Sequence, residues 1–205
     1  MISDDNKMME MAFGILNQVY FEGELPRTAF TIQSSPKCYG YTTVQKVWAD
    51  EKEKYHEINI GAEYISRPIE HVMATLLHEM VHLYCMVNEI KDTSNHGRYY
   101  NKRFKTEAEK RDLKIDYADY IGFSVTTPTE RLKKVLQEHG LWESIPHCRT
   151  LENNLPIPPG NSGGQDGKQS STRKYACPSC GMSIRATRDV NVICGNCMKH
   201  LEKVT

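Results

Sequence analysis

Residues Leu76 to Cys85 read "LLHEMVHLYC", a histidine, a glutamate and a second histidine set inside an apolar run. Burying three such ionisable groups without partners costs on the order of several kcal/mol, so something must compensate, and a bound cation is the leading candidate. His78 and His82 are four residues apart, which on a helix puts both imidazoles on one face, one turn apart, able to grip a single ion. Zinc in a hydrolytic site takes three protein ligands and keeps a fourth position for water. Glu79, beside the histidines, could accept a proton from that water and hand it to a leaving amine while the metal polarises the scissile carbonyl. The rival reading is a pair of core histidines that merely hydrogen-bond to each other or to their surroundings.

The surrounding pattern predicts the helix that carries this motif. Ser66 and Pro68 suit its start. From Ile69 to Val87 the apolar residues (Ile69, Val72, Met73, Leu76, Leu77, Met80, Val81, Leu83) run nearly all round, as expected of a buried central helix. The third ligand has several candidates. His96 stands fourteen residues beyond His82, after a polar loop and beside Gly97, whose missing side chain permits close approach, and it is the choice made here. Glu107 and Glu109 are rivals on a later helix, read as solvated. His71, two turns ahead of His78, reads as a surface or supporting histidine, and Cys85 as a small buried hydrophobe.

Further out, residues 4 to 22 predict an amphipathic helix with Ser3 as its cap and Gly23 at its end. Three β-prone runs, 29 to 34, 39 to 44 and 56 to 61, predict a small sheet. The stretch "HGRYYNKRFKTEAEKRDL" predicts a third helix, and Thr129 is placed to cap a fourth. "ENNLPIPPGNSGGQDGKQSSTRK" lacks hydrophobic periodicity and is dense in Pro, Gly and Ser, as a flexible linker is. These readings give an α+β chain with a main domain over 1–150, a linker over 151–173 and a small unit over 174–205.

The small unit holds the second constellation. Cys177 and Cys180 form one C-x-x-C pair, Cys194 and Cys197 the other, with thirteen residues between. Four thiolates at that spacing make a closed tetrahedral zinc site, and "MSIRATRDVNVI" between them alternates enough for a short hairpin. A unit of about 30 residues buries too little apolar area to fold alone, so the metal supplies its folding free energy. From Arg173 to Thr205 six Lys and Arg against Asp189 and Glu202 give +4 in a chain of net charge +0, so this is the basic end. Lys174, Arg185, Arg188 and Lys199 are candidate phosphate contacts, and Tyr175 a candidate for stacking on a base; the rival is a zinc module simply solubilised by its charges.

Seven cysteines without a hydrophobic leader in "MISDDNKMME" favour metal binding in a reducing compartment over disulfides. No run of about 18 apolar residues suggests a membrane span. A cytoplasmic, nucleoid-associated monomer is the expectation.

The segments "YFEGELP", "LLHEMVHLY", "HGRYYNKRF", "IGFSVTTPTERL" and the four-cysteine ribbon occur in the order seen in SprT-like zinc metallopeptidases, the group that includes the Spartan DNA-protein crosslink protease. The resemblance implies a compact zincin-like domain with His78, His82 and His96 as zinc ligands, Glu79 as catalytic acid/base, and Cys177, Cys180, Cys194 and Cys197 holding a second zinc. It also implies proteolysis of proteins attached to DNA, single-stranded or distorted, with the ribbon assisting DNA binding. The alternatives are a non-catalytic DNA-binding scaffold and a general soluble metallopeptidase whose ribbon is purely structural. The strand near Ile58 to Ile60 is expected to hold an extended substrate by β-addition.

Overall fold

A computed structural model describes residues 2–95, 97–150 and 173–204. His96 and all of the expected linker except Arg173 lie outside the described residues. The chain divides into two compact units, Met1–Asn161 and Ser162–Thr205, and the described part is α+β, with helices only in the first unit. None of the described helices is long and apolar enough to cross a membrane.

In the first unit, α1 (Ile2–Phe21) and α2 (Ile69–Val87) form the centre of the core. Ser3 is not the cap of α1, because the helix begins at Ile2 and takes Ser3 into its first turn. Gly23 ends it as expected, its N–H reaching back to the carbonyl of Asn17 at 3.1 Å with φ at +77°. Helix α2 is buried from Val72 through Val81. Met9, Leu16, Ile58, Ile60, Phe104 and Leu132 close over it from the neighbouring elements.

The sheet packed on this helix has the order β1-β4-β2, with β3 also on β4. Strand β1 (Thr28–Gln33) runs parallel to β4 (Lys54–Gly61), whereas β2 (Gly40–Thr42) and β3 (Trp48–Ala49) run antiparallel to it. This corrects the expected substrate strand. Ile58 to Ile60 lie in β4, which has β1 on one side and β2 on the other and is buried from Tyr55 to Gly61. It therefore has no free edge there to offer.

The edge belongs to β2. The Tyr39 carbonyl accepts from Gly61 N–H and Thr43 N–H donates to the Glu57 carbonyl of β4, so the two-residue period of an antiparallel ladder turns the N–H and C=O of Gly40 and Thr42 to the other side.

A second sheet, ordered β5-β6-β8-β7, comprises β5 (Thr93–Ser94), β6 (Tyr99–Tyr100), β7 (Leu113–Ala118) and β8 (Gly122–Pro128). The expected third helix is shorter than the stretch that suggested it. Tyr99 and Tyr100 are strand, and α3 (Lys102–Glu109) starts only after Asn101, whose side chain accepts from the N–H groups of Arg103 and Phe104. Helix α4 (Glu130–Glu138) has the expected cap, the Thr129 hydroxyl accepting from Leu132 N–H at 3.2 Å. The hairpin of β7 and β8 was not expected, although buried Leu113 and Ile115 alternate there with exposed Lys114 and Asp116. One residue fixes its junction with β6. Gly122 pairs with Tyr100 at φ +84°, and a Cβ on it would lie 2.2 Å from the Tyr100 carbonyl oxygen, so only glycine fits.

The second unit has a three-stranded sheet, β10 (Ser183–Ala186), β9 (Arg173–Ala176) and β11 (Glu202–Val204), in that order. The hairpin expected within residues 182 to 193 does not form. Instead β10 pairs back with β9, and Ile193 forms a single bridge with His200, so each cysteine pair sits where the chain reverses.

Candidate active site and metal centres

Helix α2 sets the two imidazoles side by side, Nε2 to Nε2 at 3.2 Å. Their other nitrogens are engaged. Nδ1 of His82 lies 2.5 Å from Oδ2 of Asp92 in the loop after the helix, and Nδ1 of His78 lies 2.6 Å from the Thr126 hydroxyl on β8. A carboxylate can only accept, so Nδ1–H of His82 donates to Asp92, which leaves Nε2 as the nitrogen that could bind a metal. Burial, reinforced by the charge of His82, holds His78 well below the usual imidazole value, so it is neutral. Phe104 stacks on His82 with centroids 4.4 Å apart and packs at 4.5 Å from His78, which limits rotation of both rings.

These residues fit a divalent cation. Two imidazole nitrogens in a tetrahedral zinc site, each 2.0–2.1 Å from the metal, stand about 3.3 Å apart, close to the separation found here. One shared proton can hold the pair at that distance, and a cation can take its place. The rival reading of two self-satisfied core histidines does not explain why His82 lines the same cleft as the buried Glu79.

Glu79 is 5% exposed. The Thr42 hydroxyl on β2 lies 3.0 Å from its Oε2 and also 3.0 Å from its backbone carbonyl, so one proton serves both acceptors. Burial raises its carboxyl above the ordinary glutamate value, opposed by the charge of His82 and by the bond from Thr42. That is the direction a general base needs if it is to work near neutral pH. Gly40 permits the close approach of β2 to this helix, since a Cβ there would lie 2.9 Å from the Asn59 carbonyl and 3.3 Å from Cγ of Glu79. Gly40, Thr42, Glu79, His82, Asp92 and Tyr100 all line one cleft of about 830 Å³.

His96, the third ligand chosen from the sequence, lies outside the described residues; its neighbour Gly97 lines the cleft with φ at +82°. The rival carboxylates are committed elsewhere. Glu107 pairs with Lys110 at 2.7 Å and Arg111 at 3.0 Å, and Glu109 pairs with Lys105. His71 is half-buried and does not line the cleft. Cys85 is fully buried, and burial pushes its thiol up to about 12, as befits an apolar packing residue. Sequence reasoning missed Asp92 and Thr126. The polar loop after the helix was a weak signal for the first, and nothing local marked the second.

In the second unit the sulfurs of Cys177, Cys180, Cys194 and Cys197 all lie within 4.8 Å of one another. The two turns that carry them repeat each other. Gly181 N–H bonds the Cys177 carbonyl at 3.0 Å, and Met198 N–H the Cys194 carbonyl at 2.8 Å. Backbone N–H groups of Cys180 and Ser179 point at the Cys177 sulfur and lower its thiol to about 7, whereas the adjoining thiols raise Cys197 to about 12. Four thiolates cannot coexist there unaided, and a zinc ion is the charge that would let them.

The candidate nucleic-acid residues separate. Lys174 and Arg185 are cross-strand neighbours and exposed, and Arg188 and Lys199 are exposed as well. Tyr175 is not available for stacking, which corrects that expectation. It is 5% exposed, packs with Leu201 and Ile184, and gives its hydroxyl to Asp189 at 2.9 Å.

Residues 9–118, more than half of the chain, match the family model described as the SprT-like family. Neither a curated protein nor a solved structure matches the chain.

Proposed function

We propose that this chain, which belongs to the SprT-like family, is a zinc-dependent endopeptidase acting on proteins associated with DNA. The observation that carries this reading is the pairing of the His78 and His82 Nε2 atoms at 3.2 Å, with His82 of that pair and the buried Glu79 lining one cleft. His78, His82 and, from the sequence, His96 would hold the ion, with Asp92 and Thr126 fixing the ring orientations of the first two. When bound, the ion supplies Lewis acidity that polarises the carbonyl and makes water more acidic.

The chain's own residues do the rest. An extended peptide adds to the free edge of β2 at Gly40 and Thr42, which brings its scissile bond past Glu79. Glu79 takes a proton from water as the water oxygen bonds to the carbonyl carbon. It then gives that proton to the amide nitrogen as the C–N bond breaks, so one water is consumed and a carboxylic acid and an amine form, which leave as carboxylate and ammonium once the acid's proton passes to the amine. Thr42 keeps the carboxyl aimed during both transfers.

In the second unit Lys174, Arg185, Arg188 and Lys199 would contact phosphates, tethering the enzyme so that nearby proteins are met at high effective concentration. A second reading, a general peptidase whose ribbon is only structural, is favoured by the burial of Tyr175.

One preparation tests both readings. Two zinc ions per chain are expected, with cleavage of a DNA-binding protein that single-stranded DNA stimulates. Glu79→Gln should lower turnover about 10²–10⁴-fold. Equal cleavage with and without DNA selects the second reading, and absence of cleavage under every condition overturns both.

A further inference from the structure

The cleft holds a phenol that no step above uses. Tyr100 ends β6, and its ring packs against those of His82, Phe104 and His78 with centroids 4.9, 5.3 and 5.6 Å away. The backbone beneath it is fixed as well. Its N–H donates to the Ile121 carbonyl at 2.8 Å, and Gly122 is the glycine that lets β8 close against its own carbonyl.

Three aromatic contacts and a pinned strand thus orient a side chain whose hydroxyl has no hydrogen-bond partner among the described residues. Tyr100 lines the same cleft as Glu79 and His82. A phenol ordinarily keeps its proton near neutral pH, so it can enter a reaction there as a hydrogen-bond donor.

A peptide carbonyl attacked beside Glu79 turns its oxygen into an oxyanion, and a donor already oriented toward it is worth most at that moment. We propose that Tyr100 is a catalytic residue whose hydroxyl donates a hydrogen bond to the carbonyl oxygen of the scissile peptide as that oxygen becomes charged. The phenol keeps its proton throughout, so the proton balance with Glu79 is unchanged. The proposal rests on the peptidase reading of this cleft.

The test is Tyr100→Phe in the full chain, which keeps the ring and its packing. Turnover of a peptide cleaved by the wild type should fall about 10²–10³-fold, the usual cost of removing one such donor, with KM nearly unchanged. A phosphinic peptide, which mimics the tetrahedral stage and is not cleaved, should bind weaker by a comparable factor. Bound zinc and the thermal midpoint should match the wild type. Turnover within about threefold of wild type, unaltered phosphinic-peptide affinity, or loss of zinc would each overturn it. An inactive wild type would instead remove the peptidase reading beneath it.

Discussion

Around His78 and His82 the protein has a large apolar core made by residues other than the candidate ligands. Helix α2 is enclosed by Met9, Leu16, Ile58, Phe104 and Leu132, and the imidazoles are held by partners from a loop and from β8. Around the four cysteines the core is Tyr175, Cys177, Cys194 and Leu201, so half of it consists of the ligands themselves. The first candidate site sits in a fold with an apolar core of its own, and the second in a fold whose buried core is half candidate ligands. The difference follows from size, because a long helix buried on all sides supplies apolar area that a three-stranded ribbon cannot.

Metal removal should break the molecule along that line, and the effect should be the largest. A strong chelator is expected to unfold the ribbon, whose zinc contributes about 10–16 kcal/mol in comparable small modules, while the first unit keeps its core. Amide hydrogen exchange reads both at once. Protection should vanish across 173–204 and persist in α2, and loss of protection in α2 as well would show that the imidazole site also depends on its ion to fold.

The supports of the two sites differ in kind as well. His82 leans on a side chain, Asp92, whereas the Cys177 sulfur leans on backbone N–H groups of Ser179 and Cys180. Asp92→Asn keeps the shape but removes the charge that makes the imidazole a better ligand, so zinc at this site should bind about 10–100-fold more weakly. Ser179→Ala keeps its N–H and should leave the ribbon's affinity unchanged. Competition against a chromophoric chelator measures both, and equal sensitivity of the two sites would remove the distinction.

That same difference decides what the sequence could disclose. Both ligand sets are visible because a helix turn and a C-x-x-C turn place donors at fixed short spacings, and in the ribbon the turn brings its own backbone supports. Asp92 and Thr126 lie 10 and 48 residues from the histidines they orient, and only the packed fold brings them there.

Two strand readings failed for one reason. The strand near Ile58 to Ile60 was expected to hold a substrate by β-addition, yet β4 is paired with β1 on one side and β2 on the other. Tyr175 was read as exposed, but its register, opposite Ile184 and Lys203, turns the ring to the covered face, with Lys174 on the other. Strand faces depend on partners that a single segment does not reveal.

The smallest prediction exploits the near-repeat of the two cysteine turns. After the first pair the chain passes through Gly181 at φ +72°, and after the second it makes the same turn through Met198 at φ +55°. A left-handed residue with a side chain costs about 1–2 kcal/mol, and glycine recovers this less about 0.5–1 kcal/mol for its greater freedom when unfolded. The Met198 side chain is 76% exposed, so removing it forfeits little packing. Met198→Gly should therefore stabilise the zinc-bound ribbon by about 0.5–1 kcal/mol, seen as a modest gain in zinc affinity with the imidazole site unaffected. A loss of affinity would mean that the exposed methionine contributes packing to the second turn, and that the two turns are alike in backbone only.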